Sequence, residues 1–257
     1  MTNKVQKSSQ ILAFTSAAHP VRRIRRFKEL VIETFLGLAA GSSILVTAGI
    51  VYVLISESIP FFKTVSFVEF ITSREWTPLF SEAHYGILPL VSGTLMATFI
   101  ALVVAIPLGT TLAIFLSEYI SPLKKEILKP LLELLAAVPT VVYGYFALFF
   151  VSPIVQKIFP NVSGFNLLSA GFVMGLMIIP YVSSLAEDAM RSVPSQLREA
   201  SYAMGASRLQ TGFFVVVPSA FSGITSAYVL AISRALGETM VVSIAAGMQP
   251  NLTFNPL

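Results

Sequence analysis

Five stretches of this chain are long, apolar and almost free of charge, and they leave it one class of fold. A helix crossing the hydrocarbon core of a bilayer needs about 20 mostly apolar residues, because only a helix or a closed barrel satisfies every backbone group there. The stretches run from about Leu30 to Ile55, Leu88 to Leu116, Leu131 to Ser152, Leu167 to Ala186 and Ser219 to Ala246. A single soluble core of 257 residues does not need a chain that is 55% hydrophobic and only 12% charged. The sequence therefore predicts an all-α, polytopic transmembrane helical bundle with five spans. Pro89, Pro107, Pro139 and Pro180 fall in or at the ends of these spans, where each frees a backbone carbonyl that a neighbour must satisfy. With no cysteine and only two histidines, His19 and His84, disulfides, thiolate metal sites and cysteine nucleophiles are excluded.

The basic residues set the orientation. With the N-terminus inside, thirteen of the 17 Lys and Arg residues lie in inside segments. They are Lys4, Lys7, Arg22, Arg23, Arg25, Arg26 and Lys28, then Lys124, Lys125 and Lys129, then Arg191, Arg198 and Arg208. Only Lys63, Arg74 and Lys157 fall outside, and Arg234 lies within the fifth span. Residues 22 to 28 thus read as an orientation signal beside a retained anchor, not as a nucleic-acid patch. The expected organisation is a basic cytoplasmic tail at 1–29, a first span and external loop at 30–86, and a transmembrane core at 87–257 with a cytoplasmic loop at 187–218. Trp76, the single tryptophan, reads as a headgroup-level anchor in the external loop.

The loop reads EDAMRSVPSQLREASYAMGASRLQTGFFVVVP. Helix formers run through Gln196 to Met204, Gly205 supplies a turn, and a short apolar run ends at Pro218. Glu199, Ala200 and Ser201, then Gly205, then Val215, Val217 and Pro218 resemble the EAA loop of type I ABC importer permeases. Ser201 replaces the second Ala of that pattern and keeps its small size. At ordinary residue frequencies the four fixed positions coincide by chance on the order of 10⁻⁵ per window. In that family the loop docks on a cytoplasmic ATPase subunit. No Gly-Lys pair of a phosphate-cradling Walker loop occurs anywhere, so any ATP and Mg belong to a partner chain.

Further segments resemble the PstC-type permease branch of the phosphate-specific system: EWTP at 75–78, YGILPLVSGTL at 85–95, AIPLGTTLAIFLSEY at 105–119, LLELLAAVPTVVYG at 131–144, IIPYVSSLAEDAMRSVP at 178–194 and SRALGETMVV at 233–242. The resemblance implies a multi-pass subunit of the bacterial inner membrane. Its implied partners are a second, PstA-like permease, an ATP-binding subunit dimer, an extracytoplasmic phosphate-binding protein and the lipid bilayer, with inorganic phosphate as substrate. Permeases of this type end with a further hydrophobic helix, whereas this sequence stops at Leu257, about ten residues after the fifth span.

Arg234 and Glu238 lie four positions apart in the fifth span, and an unbroken helix would place them on one face. One reading makes them a self-neutralising structural pair, or puts Arg234 at a membrane face with Leu209 to Ser233 as the span. The other puts them on the substrate path, the role the resemblance implies for this RALGET segment. A guanidinium fork suits phosphate oxygens, and a carboxylate accepts the proton that phosphate carries near neutral pH and sulfate lacks. Glu133 is expected to open the third span near the inner interface. Glu187 and Asp188, ending the fourth, are expected to meet the coupling loop or solvent. Rival functions are a sulfate or molybdate permease, an ion-coupled secondary transporter using the charge pair as a relay, and a structural scaffold.

Overall fold

The computed structural model describes the backbone of residues 2–80 and 82–247, with side chains from Arg26 on apart from Phe27. Residues 248–257, the end of the expected core segment, lie outside the described part. The chain divides into two compact units, Met1–Phe67 and Val68–Leu257. This boundary falls within the expected external segment, and its later part closes inside the second unit, where Ile87 donates its N–H to the Phe70 carbonyl (2.9 Å) and Gly86 to that of Glu75 (2.8 Å).

The first unit is one helix, α1 (Thr2–Thr64). Its membrane-competent part, Lys28–Thr64, has 37 residues, which at 1.5 Å per residue is roughly 55 Å. The expected helix end at Ile55 is not a helix end. Polar residues there finish the apolar run, but Ser58 and Thr64 hydroxyls bond back to the Leu54 and Phe61 carbonyls, and the helix continues.

In the second unit a short α2 (Phe67–Thr72) leads into a turn pinned by a single antiparallel bridge between Trp76 and Tyr85, whose rings meet edge to face at 6.1 Å. Next come α3 (Leu88–Ile114), which widens into a π-helical turn at Phe115–Tyr119, and α4 (Pro122–Ala136). One continuous span follows, made of α5 (Thr140–Phe146), a π-turn at Ala147–Val151 and α6 (Ser152–Ile158), and then comes α7 (Leu167–Arg191). The rest is α8 (Ser195–Ala203), α9 (Arg208–Thr211), a π-turn at Gly212–Val216, α10 (Val217–Ser219), α11 (Phe221–Leu236) and α12 (Met240–Ala245).

Two expected spans are redrawn. The third runs Thr140–Ile158, not from Leu131. Pro139 has no N–H to donate and pushes Val138 out of the helical region, so Leu131–Ala136 belong to α4. Glu133 accordingly sits in the last turn of α4, not at the start of a span. The fifth is not continuous: Arg208–Ser219 meets Phe221–Leu236 at 76°, and a second break separates α11 from α12.

The α3–α7 pair forms the centre of this unit. Ala97, Ala101 and Ala105 of α3 pack on Met174, Met177, Ile178 and Val182 of α7, with Ala231 and Ala235 of α11 and Val241 of α12 closing the cluster. Lipid chains are as apolar as leucine, so helices here gain from close van der Waals contact and not from water release. Small residues permit it: a Cβ on Gly175 would stand 2.8 Å from the Ala101 carbonyl oxygen and 2.8 Å from the Val104 Cβ. A second cluster joins Ala113 and Ile114 to Ala186, Met190, Val193, Val216, Ala220, Ile224 and Ala227 at the end that carries α8. Outward-facing Phe99, Val103, Leu108, Val229 and Leu230 remain exposed, as an apolar rim facing acyl chains would be.

Candidate functional site

Two assemblies come from the α11–α12 break and from the α8–α10 segment. Gly237 follows the last residue of α11 and bonds its N–H to the Ser233 carbonyl (3.1 Å). Glu238 then turns its side chain forward: Oε1 accepts from the backbone N–H groups of Met240 (3.1 Å) and Val241 (3.2 Å), capping the start of α12. A carboxylate is favoured at that end of a helix. The two charges are therefore not on one helical face, and among the described residues no ion pair joins them. The spacing rule presupposed a helix that Gly237 and the capping of α12 by Glu238 interrupt.

Arg234 occupies the last turn of α11, where a cation is favoured by the helix dipole. Its guanidinium carbon stands 4.6 Å from the centre of the Tyr181 ring, and its Nε is buried without a hydrogen-bond partner. Tyr181 lies ten residues from Arg191 and fourteen from Leu167 along α7, or roughly 15 Å and 21 Å at the helical rise. Arg234 thus sits at the middle depth of α7, not at either end. A guanidinium held by its face on an aromatic ring keeps its N–H edges available for an oxyanion. Tyr181 escaped the sequence reading because α7 and α11 meet only in the fold. The one signal was a polar aromatic following Pro180 inside a span.

The break is held in place from the far side. Asn166 caps α7 by accepting from the Ser169 N–H (2.8 Å), donates its own N–H to the Ala245 carbonyl at the end of α12 (3.2 Å), and reaches Ser152 of α6 (3.4 Å). On α3, Thr110 shares a 2.6 Å hydrogen bond with Tyr228 of α11.

In the second assembly, Glu199 and Ala200 are exposed on α8, while Ser201 shares a 2.9 Å bond with the buried Thr211 of α9. Gly205 has φ +84°, a left-handed conformation that ends α8 and that a side chain would strain. Ser207 and Gln210 form a capping box that starts α9 at once. Pro218 lies in α10, just before the 76° bend. Met204, the residue after α8, is 89% exposed.

A charged cluster that the sequence did not announce lies beneath α8. Glu187 is fully buried and paired with both Lys125 and Lys129 of α4 (2.9 Å to Lys129), and Lys129 also reaches Asp188. Glu187 thus meets α4, not the α8 loop or solvent, whereas Asp188 is shared between Lys129 and solvent. Burial of Lys129 works against its charge, yet hydrogen bonds to Asp188 and Glu187, with their negative charge, outweigh it and raise its pKa above the usual 10.5. Glu118, at the end of α3's π-turn, is 3% exposed and paired with Arg198 of α8. An acid closing a long apolar run, and lysines four apart at 125 and 129, were the available signals; the partners were distant in sequence.

Residues 105–254 match the family model described as "Binding-protein-dependent transport system inner membrane component". The chain is 40% identical over 183 residues to the probable ABC transporter permease protein YqgH of Bacillus subtilis, covering 71% of this chain and 59% of that one. It is 32% identical to the phosphate transport system permease protein PstC of Xylella fastidiosa, over 72% of this chain and 63% of the relative. To the PstC of Mesorhizobium japonicum it is 31% identical over 246 residues, 87% of this chain and 74% of that one. The chain thus spans about three fifths of the length of the first two relatives.

Proposed function

Because this chain belongs to the family of binding-protein-dependent transport system inner membrane components, we propose that it is a permease subunit of an ATP-driven phosphate importer. The observation that carries the substrate assignment is Arg234: a cation at mid-depth of the bundle, held on the Tyr181 ring and, among the described residues, in no ion pair with a carboxylate. An intramembrane charge is costly, roughly 2.5–3.5 kcal/mol on insertion scales, and is kept where it meets a partner or a water-filled path. Its planar donors suit tetrahedral oxyanions. Glu238, fixed to the start of α12, is four residues on and can accept a hydrogen bond from protonated phosphate, which sulfate does not offer. The PstC relatives carry phosphate transport in their names.

Glu199, Ala200, Ser201, Gly205 and Pro218 form the coupling element. The ATPase seats on the exposed face of α8, and the Gly205 turn lets a second chain approach closely. ATP and Mg bind that partner, and this chain performs no catalysis. The complete importer adds a PstA-like second permease, an ATPase dimer and an external phosphate-binding protein. With thirteen cationic residues on the α8 side and at the N-terminus, the N-terminus and α8 face the cytoplasm.

The test is labelled phosphate uptake in cells lacking their own importer, supplied with the partner subunits and this chain. Wild type is compared with Arg234→Ala at matched membrane levels of the complex. Uptake by wild type and its loss in the variant is the expected result. Equal uptake by both removes Arg234 from the path, and uptake of sulfate in place of phosphate overturns the substrate.

A further inference from the structure

We propose that Arg198 is the positioning residue through which α8 moves the transmembrane helices, a role that rests on the coupling reading given above. The argument starts from how little else holds α8. None of its nine residues is buried, so it is not keyed into the apolar core. Among the described residues its side chains make hydrogen bonds or ion pairs outside α8 at two places: Ser201 to Thr211, and the guanidinium of Arg198.

That guanidinium reaches three places at once. Nε donates to both carboxylate oxygens of Glu118 (3.2 and 3.3 Å), and Nη2 donates to Glu118 Oε1 (3.1 Å). Nη2 also donates to the Met190 carbonyl (2.8 Å), and Nη1 donates to that of Val193 (2.7 Å). Met190 and Val193 end α7 and open the link to α8, while Glu118 ends α3, so one side chain ties α8 to both members of the central pair.

Glu118 is built to be held. Its side chain is 3% exposed, and Ser117 donates a further hydrogen bond to Oε1 (2.8 Å). Its Cγ lies 3.6 Å from where a Cβ on Gly212 would stand, so the π-turn ending α3 meets the π-turn that follows α9 at this carboxylate. A carboxylate so buried cannot be left alone cheaply, because removing one partner of a buried pair exposes the other to the full desolvation penalty. Displacement of α8 by a seated ATPase therefore drags Glu118 and the end of α7 with it. Lysine would keep the charge but not the fork: one ammonium cannot hold both carboxylate oxygens and two carbonyls in the plane that guanidinium offers.

The test uses the whole importer, purified with its partner subunits and placed in liposomes with binding protein and labelled phosphate outside and ATP inside. Arg198→Lys and Glu118→Gln are each compared with wild type for ATPase subunit retained, ATP hydrolysed and phosphate moved. The expected result is wild-type retention of the ATPase with about a tenfold fall in phosphate moved per ATP. An unchanged ratio in both variants overturns the proposal. So does a failure of both variants to assemble, which would make the joint structural only. If the wild-type chain itself retains no ATPase subunit, the coupling reading falls, and this one with it.

Discussion

Replacing Tyr181 by Leu separates the aromatic hold on Arg234 from everything else in the bundle. A cation over an aromatic face is worth about 0.5–1 kcal/mol when exposed and about 2 when desolvated. The Tyr181 residue is 38% exposed while Arg234 Nε is buried, which places this pair at about 1–2 kcal/mol. A factor of ten corresponds to about 1.4 kcal/mol, so loss of the ring lowers the fraction of Arg234 held in place by roughly 5–30-fold. If that poised form is the one that receives phosphate, apparent affinity falls by the same factor. Labelled uptake by the assembled importer should then show KM for phosphate rising roughly 5–30-fold with the maximal rate nearly unchanged. Tyr181→Phe keeps the ring and should stay close to wild type. A Phe variant as weak as the Leu variant would show that the hydroxyl matters and the ring does not. A Leu variant with wild-type KM would refute the cation–π hold altogether.

Three further outcomes follow from the packing and the charged cluster. Glu187→Leu leaves Lys125 and, in part, Lys129 without the buried carboxylate they share; breaking such a pair costs about 3–5 kcal/mol. Thermal unfolding of the purified subunit should fall by roughly 6–20 °C at the usual sensitivity for chains of this size, and an unchanged midpoint would show the cluster to be inert. Gly175→Ala puts a methyl 2.8 Å from the Ala101 carbonyl oxygen. Such overpacking costs about 1–3 kcal/mol, and the same thermal assay should register it, unlike the exposed Gly49→Ala, whose methyl meets nothing within 4 Å. Because the Lys129 pKa is raised above 10.5 in the folded protein, its ion pairs contribute fully below that value and are lost as pH climbs through the folded pKa. The wild-type midpoint should therefore drop more steeply than that of Lys129→Met above pH 10.5; parallel curves would refute the linkage.

How far the sequence could be read depended on whether the deciding interaction was local. The spans α1, α3 and α7 were legible because a long charge-free run meets one requirement, satisfaction of its own backbone, and helix is the answer everywhere along it. The α8 turn was legible for a related reason: Gly205 acts locally, ending the helix where a left-handed residue is needed. The third and fifth spans were misplaced where a hydropathy sum is blind to backbone chemistry. Leucines 131, 132, 134 and 135 count towards a span in any sum, but Pro139 assigns them to α4, whose Lys125 and Lys129 are held by the end of α7.

Arg234 and Glu238 show the same limit in the functional region. Their spacing predicted a shared helix face and left a neutralised pair open as one reading, and a pair would have closed the guanidinium fork that an anion needs. The break at Gly237 takes Glu238 to the start of α12 and leaves Arg234 on an aromatic ring contributed by α7, fifty-three positions earlier in the chain. The separation favours the transport reading over structural pairing on physical grounds. A neutralised pair would have to be pulled apart before phosphate could bind, at a cost of several kcal/mol in a low-dielectric site. A cation resting on a ring face needs no carboxylate removed first, so an arriving anion would be its first strong electrostatic partner.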